Sequence, residues 1–159
     1  MGNHLHLLIS TPGWGLDKVM AEFGSGVTRT FNLISGRSGH LFGGRYRWSI
    51  IQSPLYYACA FKYVYRNPVR AGIVERVESH EFSTLHGLLG KAHLPFPIHF
   101  CELDRKGFSY IPEDLIEMLE WLNKPFKKEE QEAIGKGLRR KVFKLPIDRS
   151  LRAPIELSM

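Results

Sequence analysis

Residues 54–68 read PLYYACAFKYVYRNP, a stretch that predicts one helix, from about Leu55 to Asn67. The proline at its start introduces the helix, and Pro68 ends it, because proline disfavours helical geometry in the residue before it. Tyr63 and Asn67 stand four residues apart, so on a helix they share one face, with Cβ atoms about 5–6 Å apart. The stretch therefore presents a phenol and an amide oxygen together. By spacing alone, a tyrosine at the rim of an ordinary helix remains the alternative.

A strand is predicted from His4 to Ser10, where apolar residues are followed by the turn-forming sequence Thr11-Pro12-Gly13. Side chains alternate between the two faces of a strand, so His4 and His6 project to one side and Leu5 to the other. Two imidazoles on one side can chelate a cation. Two surface histidines on an edge strand are the alternative, and the pattern alone leaves both open.

Two further elements are predicted between these stretches. Residues from Leu16 to about Ile34 place apolar side chains at a helical period. Gly24 and Gly26 weaken this helix, since each costs about 1 kcal/mol relative to alanine in a helix interior. Arg45 to Ile51 contains aromatic and β-branched residues, which favour a second strand.

The second half of the chain predicts a pair of helices. Pro112 suits the first position of a helix, and Glu113 and Asp114 follow at the end where the helix dipole favours anions. After Asn123-Lys124-Pro125, a second helix is predicted from about Lys128 to Val142. The pair either packs as an ordinary helical hairpin or forms a helix-turn-helix that reads DNA, and both remain open.

Charge is unevenly distributed along the chain. The formal net charge is +6, yet no Asp or Glu occurs between Phe23 and Val74. That stretch holds seven basic residues: Arg29, Arg37, Arg45, Arg47, Lys62, Arg66 and Arg70. Fourteen of the sixteen acidic residues follow it, from Glu75 onward. We expect a phosphate-binding face in the first half of the chain.

Composition also excludes several protein classes. A chain of 159 residues that is 43% hydrophobic suits one compact domain with a tail. It has no run of 18 apolar residues, and its start lacks the features of a secretion signal, so we expect a soluble, cytoplasmic protein without a membrane partner. Cys59 and Cys101 lack the CxxC spacing of zinc or redox sites and are interpreted as core residues.

Taken together, the histidine strand and the tyrosine helix resemble the REP-associated tyrosine transposases, bacterial members of the single-tyrosine HUH transposase family. Residues 1–9 (MGNHLHLLI) look like the family's His-hydrophobic-His strand, and residues 38–46 (SGHLFGGRY) look like the loop that follows it. Residues 63–72 (YVYRNPVRAG) resemble its tyrosine helix. The likeness runs from residue 1 to about Val74 and is looser in residues 121–123 and 137–140.

The resemblance implies an α+β fold, a partial ferredoxin-like antiparallel sheet with helices packed on it, plus a helical C-terminal extension. Residues 1–78 would form the catalytic core, 79–110 a variable connector and 111–159 the extension. Relatives carry several dozen residues before the histidine strand, whereas three residues precede His4 here. The implied core is therefore N-terminally incomplete, and we expect the missing strands to be encoded upstream, lost, or supplied by another chain.

The resemblance also implies a chemistry. His4, His6 and Asn67 would bind a divalent cation, and mixed nitrogen and oxygen ligands suit Mg²⁺ or Mn²⁺. Tyr63 would attack a scissile phosphate, leaving a 5′-phosphotyrosine and a free 3′-hydroxyl that a later strand can rejoin. Tyr65, about 200° around the helix from Tyr63, is expected to pack instead.

Single-stranded or hairpin DNA is the implied partner, and a homodimer is compatible with it. Basic and aromatic residues alternate in Arg45-Tyr46-Arg47-Trp48, as in proteins that grip single strands by phosphate contacts and base stacking. Arg66 and Arg70 are expected to steer the DNA backbone. An ordinary strand with solvated arginines is the alternative.

Two other functions fit parts of the sequence. One is a truncated relative that binds hairpin DNA without cutting it. The other is a hydrolase that uses the two histidines for zinc.

Overall fold

The computed structural model describes residues 4–13, 15–95, 97–98, 110–145, 147–148 and 153–154. Its contacts divide the chain into two compact units. The larger unit comprises Met1–Leu8 and Trp48–Met159, and the smaller unit comprises Ile9–Arg47. The helices, in chain order, are α1 (Leu16–Ser35), α2 (Pro54–Arg70), a 3-10 helix (Val77–Ser79), α3 (Thr84–Leu88), α4 (Leu115–Asn123) and α5 (Lys128–Gly137). No helix in these described ranges is long and apolar enough to cross a membrane.

The start of α2 follows directly from its sequence. The hydroxyl oxygen of Ser53 accepts a hydrogen bond from the backbone N–H of Tyr56, at 3.2 Å, and so satisfies one of the free donors at the helix start. Pro54 follows at the first helical position, where its fixed φ suits the helix and its missing N–H costs nothing.

Helix α2 ends three residues later than the sequence predicts. Pro68 does not end the helix, which continues to Arg70. A proline in the last turn removes only one backbone hydrogen bond. That turn is instead closed by the N–H of Ala71, which donates to the carbonyl of Asn67 at 2.9 Å, and by the N–H of Ile73, which donates to the carbonyl of Pro68 at 3.0 Å.

The larger unit contains two hydrophobic clusters, and α2 contributes to both. The first cluster consists of Tyr57, Ala58, Phe61, Val77, Leu85, Ile111, Met118 and Leu122. The second consists of Cys59, Phe126, Ala133, Ile134, Phe143 and Leu145. The expectation that Cys59 is a core residue is confirmed, since it is fully buried, whereas Cys101 lies outside the described residues.

The predicted helical pair corresponds to α4 and α5, with shifted bounds. Helix α4 begins after Asp114, whose carboxylate accepts the backbone N–H groups of Ile116 and Glu117 at 2.9 and 3.0 Å. Helix α5 ends at Gly137 and not near Val142. A Cβ on Gly137 would lie 2.6 Å from the Phe143 ring, so this glycine allows the departing chain to fold back against the helix.

The predicted α+β fold with a ferredoxin-like antiparallel sheet is wrong, because the structure is helical. Among the described residues, strand pairing is limited to one two-residue pair, Ile147–Asp148 with Ala153–Pro154, and one isolated parallel bridge between Ile50 and Val142. The predicted strands at 4–10 and 45–51 do not pair with each other. Alternating apolar residues favour an extended chain, but a sheet also requires a neighbouring strand.

The smaller unit is built on α1, whose predicted span is confirmed to within one residue. The helix ends at Gly36, which adopts the left-handed conformation (φ 65°) that favours glycine. The side-chain nitrogen of Asn32 then donates to the carbonyl of Gly39 at 2.9 Å, which holds the following loop against the end of the helix. No residue of α1 is buried.

Candidate active site

His4 and His6 lie together in the larger unit, although residues 4–10 do not form the predicted strand. Their ring centroids are 5.1 Å apart in an edge-to-face arrangement, with His4 exposed and His6 half-buried. Leu8, which follows in the same segment, packs against the first hydrophobic cluster. The packing of Leu8 thus anchors the segment that carries the two imidazoles.

Tyr63 projects from α2 towards this pair. Its ring centroid lies 6.2 Å from that of His6, again edge-to-face. One guanidinium N–H of Arg70 donates to the Tyr63 hydroxyl oxygen at 2.9 Å, and the guanidinium carbon lies 5.9 Å from the ring centroid. The two residues are seven positions apart, which is about two helical turns, so they share one face of α2. Two imidazoles, a phenol and a guanidinium therefore form one cluster.

The environment of His6 favours its neutral form. Burial lowers the pKa of His6 below its ordinary value of 6.5, and the positive charges of His4 and Arg70 lower it further. A neutral imidazole is the form that binds a metal ion. The cluster therefore holds at least one nitrogen ligand ready at neutral pH.

Asn67 lies one turn from Tyr63 on α2 and is buried, with 7% of its surface exposed. Its side-chain nitrogen meets no hydrogen-bond partner among the residues that the structure describes. Leaving a buried polar atom without a partner costs about 1–3 kcal/mol. Rotating the side-chain amide of Asn67 by half a revolution exchanges the positions of its oxygen and nitrogen and leaves its shape almost unchanged. The atom without a partner is the nitrogen, which cannot bind a cation, so an oxygen, the ligand type that the resemblance assigns to Asn67, takes that position only after this rotation.

A divalent cation fits the chemistry of this donor set. Within the described ranges, no group of three or more His, Cys, Asp or Glu side chains could hold a metal ion. The ligand set that the resemblance assigns comprises the imidazoles of His4 and His6, which lie together, and the amide of Asn67, which is located only by its position one turn from Tyr63 on α2. Nitrogen and oxygen donors without thiolate suit Mg²⁺ or Mn²⁺ better than a thiolate-seeking metal.

Tyr65, the alternative nucleophile, has a different environment. Its hydroxyl forms a 2.8 Å hydrogen bond with the hydroxyl of Thr84, and its ring packs edge-to-face on Phe61 with centroids 4.8 Å apart. Burial raises its pKa above 10.0, which disfavours the phenolate that a nucleophile needs.

Some of the residues predicted to contact DNA already form hydrogen bonds within the protein. Arg66 donates to the backbone carbonyls of Leu122 and Asn123, so its guanidinium already satisfies the C-terminal end of α4. Arg70 donates to Tyr63, as described above. Both therefore have roles within the larger unit, where the exposed Trp48 also lies, with 44% of its surface accessible.

In the smaller unit, Arg45 and Arg47 are exposed, and neither forms an ion pair with another described residue. The hydroxyl of Tyr46 donates to the carboxylate of Asp17, and this hydrogen bond raises the pKa of the phenol. Tyr46 is thus held against the start of α1.

Sequence reasoning missed two contributors to the cluster. Arg70 was expected to contact DNA, although its spacing from Tyr63 places both on one helix face and could have indicated the hydrogen bond. Gly135 of α5 gave no signal at all. A Cβ there would lie 3.7 Å from the Tyr63 hydroxyl oxygen, an ordinary van der Waals contact, which shows that α5 passes beside the phenol.

Comparison of the chain with protein-family models, with curated proteins and with solved structures found no match. The geometry of the cluster itself therefore carries the functional argument.

Proposed function

We propose that this protein is a transposase-like enzyme, related to the REP-associated tyrosine transposases, that cleaves and rejoins single-stranded DNA through a 5′-phosphotyrosine on Tyr63. The observation that carries the proposal is the meeting of His6, Tyr63 and Arg70 in one cluster. The residues that form it come from two segments far apart in sequence. The motif predicted a histidine pair and a tyrosine, and both lie within one compact unit.

Tyr63 is the nucleophile in this proposal. Its phenol loses a proton to water, its oxygen forms a bond to phosphorus, and the bond from phosphorus to the 3′ oxygen breaks. The leaving 3′ oxygen takes a proton from water and becomes a hydroxyl. The reverse attack by a 3′-hydroxyl restores a phosphodiester and frees the tyrosine, so no external energy source is needed.

Arg70 stabilises negative charge at the reacting oxygen. Its N–H already points at the Tyr63 hydroxyl oxygen, and a charge-assisted hydrogen bond is roughly twice as strong as a neutral one. The same guanidinium can then hold a phosphate oxygen as the phenol is esterified. Preorganised charge of this kind is a major source of catalysis in phosphoryl transfer.

His4, His6 and Asn67 would hold the divalent cation. Bound there, Mg²⁺ or Mn²⁺ supplies Lewis-acid polarisation of the scissile phosphate. His6 contributes a neutral ring nitrogen, because burial and the nearby guanidinium of Arg70 disfavour its protonation.

A trapping experiment tests the proposal. A single-stranded hairpin oligonucleotide labelled at its 3′ end is incubated with the protein and Mn²⁺, and the products are separated under denaturing conditions. We expect a labelled protein–DNA adduct that is absent with a chelator and absent in Tyr63→Phe. Tyr65→Phe is the matched control, since it removes a hydroxyl from the same helix and should keep the adduct.

Other results would select the alternatives. Salt-sensitive DNA binding that never yields an adduct, and that is unchanged in His4→Ala, would instead identify a hairpin-binding module. Zinc-dependent hydrolysis that persists in Tyr63→Phe would identify a hydrolase.

A further inference from the structure

A groove in the smaller unit lies between one face of α1 and the loop that follows this helix. It has a volume of about 470 Å³ and is lined by Gly24, Ser25, Thr28, Arg29, His40, Leu41 and Phe42. The hydrogen bond from Asn32 to the carbonyl of Gly39 fixes the loop beside the helix, and Gly39 itself adopts a positive φ of 96°. The groove is therefore formed by the fold of this unit alone.

Arg29 gives the groove a positive charge, and none of the residues that line the groove is acidic. Its guanidinium is exposed and forms no ion pair with any other described residue. The sequence around it, from Phe23 to Val74, contains no Asp or Glu. A guanidinium without an ion partner is suited to bind a phosphate oxygen, and the Thr28 hydroxyl lines the same groove, whereas the Ser25 hydroxyl already donates to the backbone carbonyl of Ala21 at 2.7 Å.

Phe42 gives the groove an aromatic surface. It leaves 41% of its surface exposed. An accessible aromatic ring is the usual stacking partner of an unpaired nucleic-acid base, and such stacking tolerates any base. A charge for the phosphate and a ring for the base thus occur in one groove.

We propose that this groove binds one unpaired nucleotide of a single DNA strand, with its phosphate on Arg29 and its base on Phe42. The inference rests on the proposed function, because it names how that enzyme would hold its substrate. The inference can be tested independently of catalysis, because none of the groove residues belongs to the cluster that contains Tyr63.

Filling the groove tests its role. Gly24 lines the groove, and a Cβ at Gly24 or at Gly26 would meet no atom within 4 Å, so both positions accept a side chain. Gly24→Leu should occupy the groove and weaken the binding of a short single-stranded oligonucleotide at least tenfold. Gly26→Leu makes the same change in the same helix outside the groove and should bind as the parent does. Binding is measured by fluorescence anisotropy with Tyr63→Phe as the parent and without metal.

The two chemical contacts are tested separately. Arg29→Gln should weaken binding about tenfold or more and reduce the slope of log affinity against log salt by about 0.7, the value for one phosphate of a single strand. Lys18→Gln, which removes one positive charge from the same helix outside both the groove and the acid-free stretch, should leave the affinity almost unchanged. Phe42→Leu should weaken binding of a normal oligonucleotide about 5- to 150-fold but have little effect on one with abasic positions.

The outcomes separate the two proposals. If Gly24→Leu and Arg29→Gln bind as tightly as their controls, the groove proposal is overturned, even if the Tyr63 adduct forms. If they lose binding while the wild-type protein forms no adduct, the groove proposal stands and the catalytic one fails. A ribonucleotide strand bound much more tightly than its deoxy counterpart would overturn the assignment of DNA as the ligand. Circular dichroism of each variant shows that the helices remain folded.

Discussion

The two units contain amphipathic helices of similar length but very different burial. Helix α2 buries eight of its 17 residues, among them side chains of both hydrophobic clusters. Helix α1 has 20 residues and buries none, and Leu33 and Ile34 near its end remain more than 80% exposed. The comparison shows that a helical period in the sequence predicts a helix but does not determine how much of its apolar face other elements cover.

The largest change in the free energy of unfolding is expected when isoleucine is replaced by alanine, and the same replacement can be made in both units. Ile134 of α5 is fully buried, whereas Ile34 of α1 is 82% exposed. Ile134→Ala should lower the free energy of unfolding by about 2–5 kcal/mol, since it removes buried methyl groups and leaves a cavity. Ile34→Ala should change it by less than about 0.5 kcal/mol. Urea denaturation measures both, and equal losses would contradict the contrast between the units.

A pair of glycine substitutions sharpens the same contrast with a smaller effect. A Cβ on Gly137 would approach the Phe143 ring to 2.6 Å and the carbonyl oxygen of Lys144 to 3.0 Å, so Gly137→Ala should cost about 1–3 kcal/mol. Gly26 of α1 has open space around it, and Gly26→Ala should stabilise its helix by about 0.5–1 kcal/mol. Thermal unfolding should give shifts of opposite sign, and a stabilised Gly137→Ala would show that the chain does not fold back on α5 as described.

Lys62 makes the stability of the larger unit depend on pH. It is 1% exposed, its ammonium nitrogen lies 4.7 Å from the centre of the Trp121 ring, and burial lowers its pKa from 10.5 to about 8. Above pH 8 the folded protein releases a proton that the unfolded chain keeps, so the free energy of unfolding should rise with pH.

The useful window is pH 8 to 9, because Cys59 acts in the opposite direction above it. Burial raises the pKa of that thiol from 9.0 to about 12, so the unfolded chain loses its thiol proton first and stability falls. Lys62→Met should abolish the rise between pH 8 and 9, while the exposed Lys91→Met should keep it. Denaturation at pH 8 and at pH 9 gives the free energy of unfolding of each variant. If that free energy still rises in Lys62→Met, a group other than Lys62 causes the rise.

The smallest effect concerns His6. Its pKa lies below 6.5, so as the pH falls below that value the unfolded chain takes up a proton that the folded protein resists. The free energy of unfolding should therefore fall as the pH decreases from 6.5 towards the lowered pKa of His6. His6→Gln should reduce this fall in metal-free protein, with His40→Gln as the matched substitution in the smaller unit. An unchanged pH dependence in His6→Gln would show that its burial is not maintained in solution.

Local sequence signals predicted most of the helices but not the contacts that end them. The apolar period predicted α1 to within one residue, whereas Pro112 was expected at the first position of the next long helix, and α4 instead begins at Leu115 with Asp114 as its N-cap. The end of α5 at Gly137 depends on Phe143, which returns from outside the helix, and no local pattern describes such a contact. The predicted sheet failed for the same reason, since alternation at residues 4–10 cannot supply a neighbouring strand.

The candidate site was predictable only in part. The motif indicated His4, His6 and Tyr63, and the structure places them together. Arg66 looked like a free arginine for DNA, yet it binds backbone carbonyls at the end of α4, a partner distant in sequence. Gly135 has no chemical group to notice, and its place beside Tyr63 depends on the path of α5.

The position of α2 between two hydrophobic clusters has a consequence for hydrogen exchange. Amides in the middle of a helix that packs on both clusters exchange only when both are disrupted, that is, in near-complete unfolding. Tyr63 is carried by this helix, one residue after the buried Lys62. The backbone that positions Tyr63, the proposed nucleophile, should therefore be among the last parts of the larger unit to open, whereas the amides of α1 should exchange early.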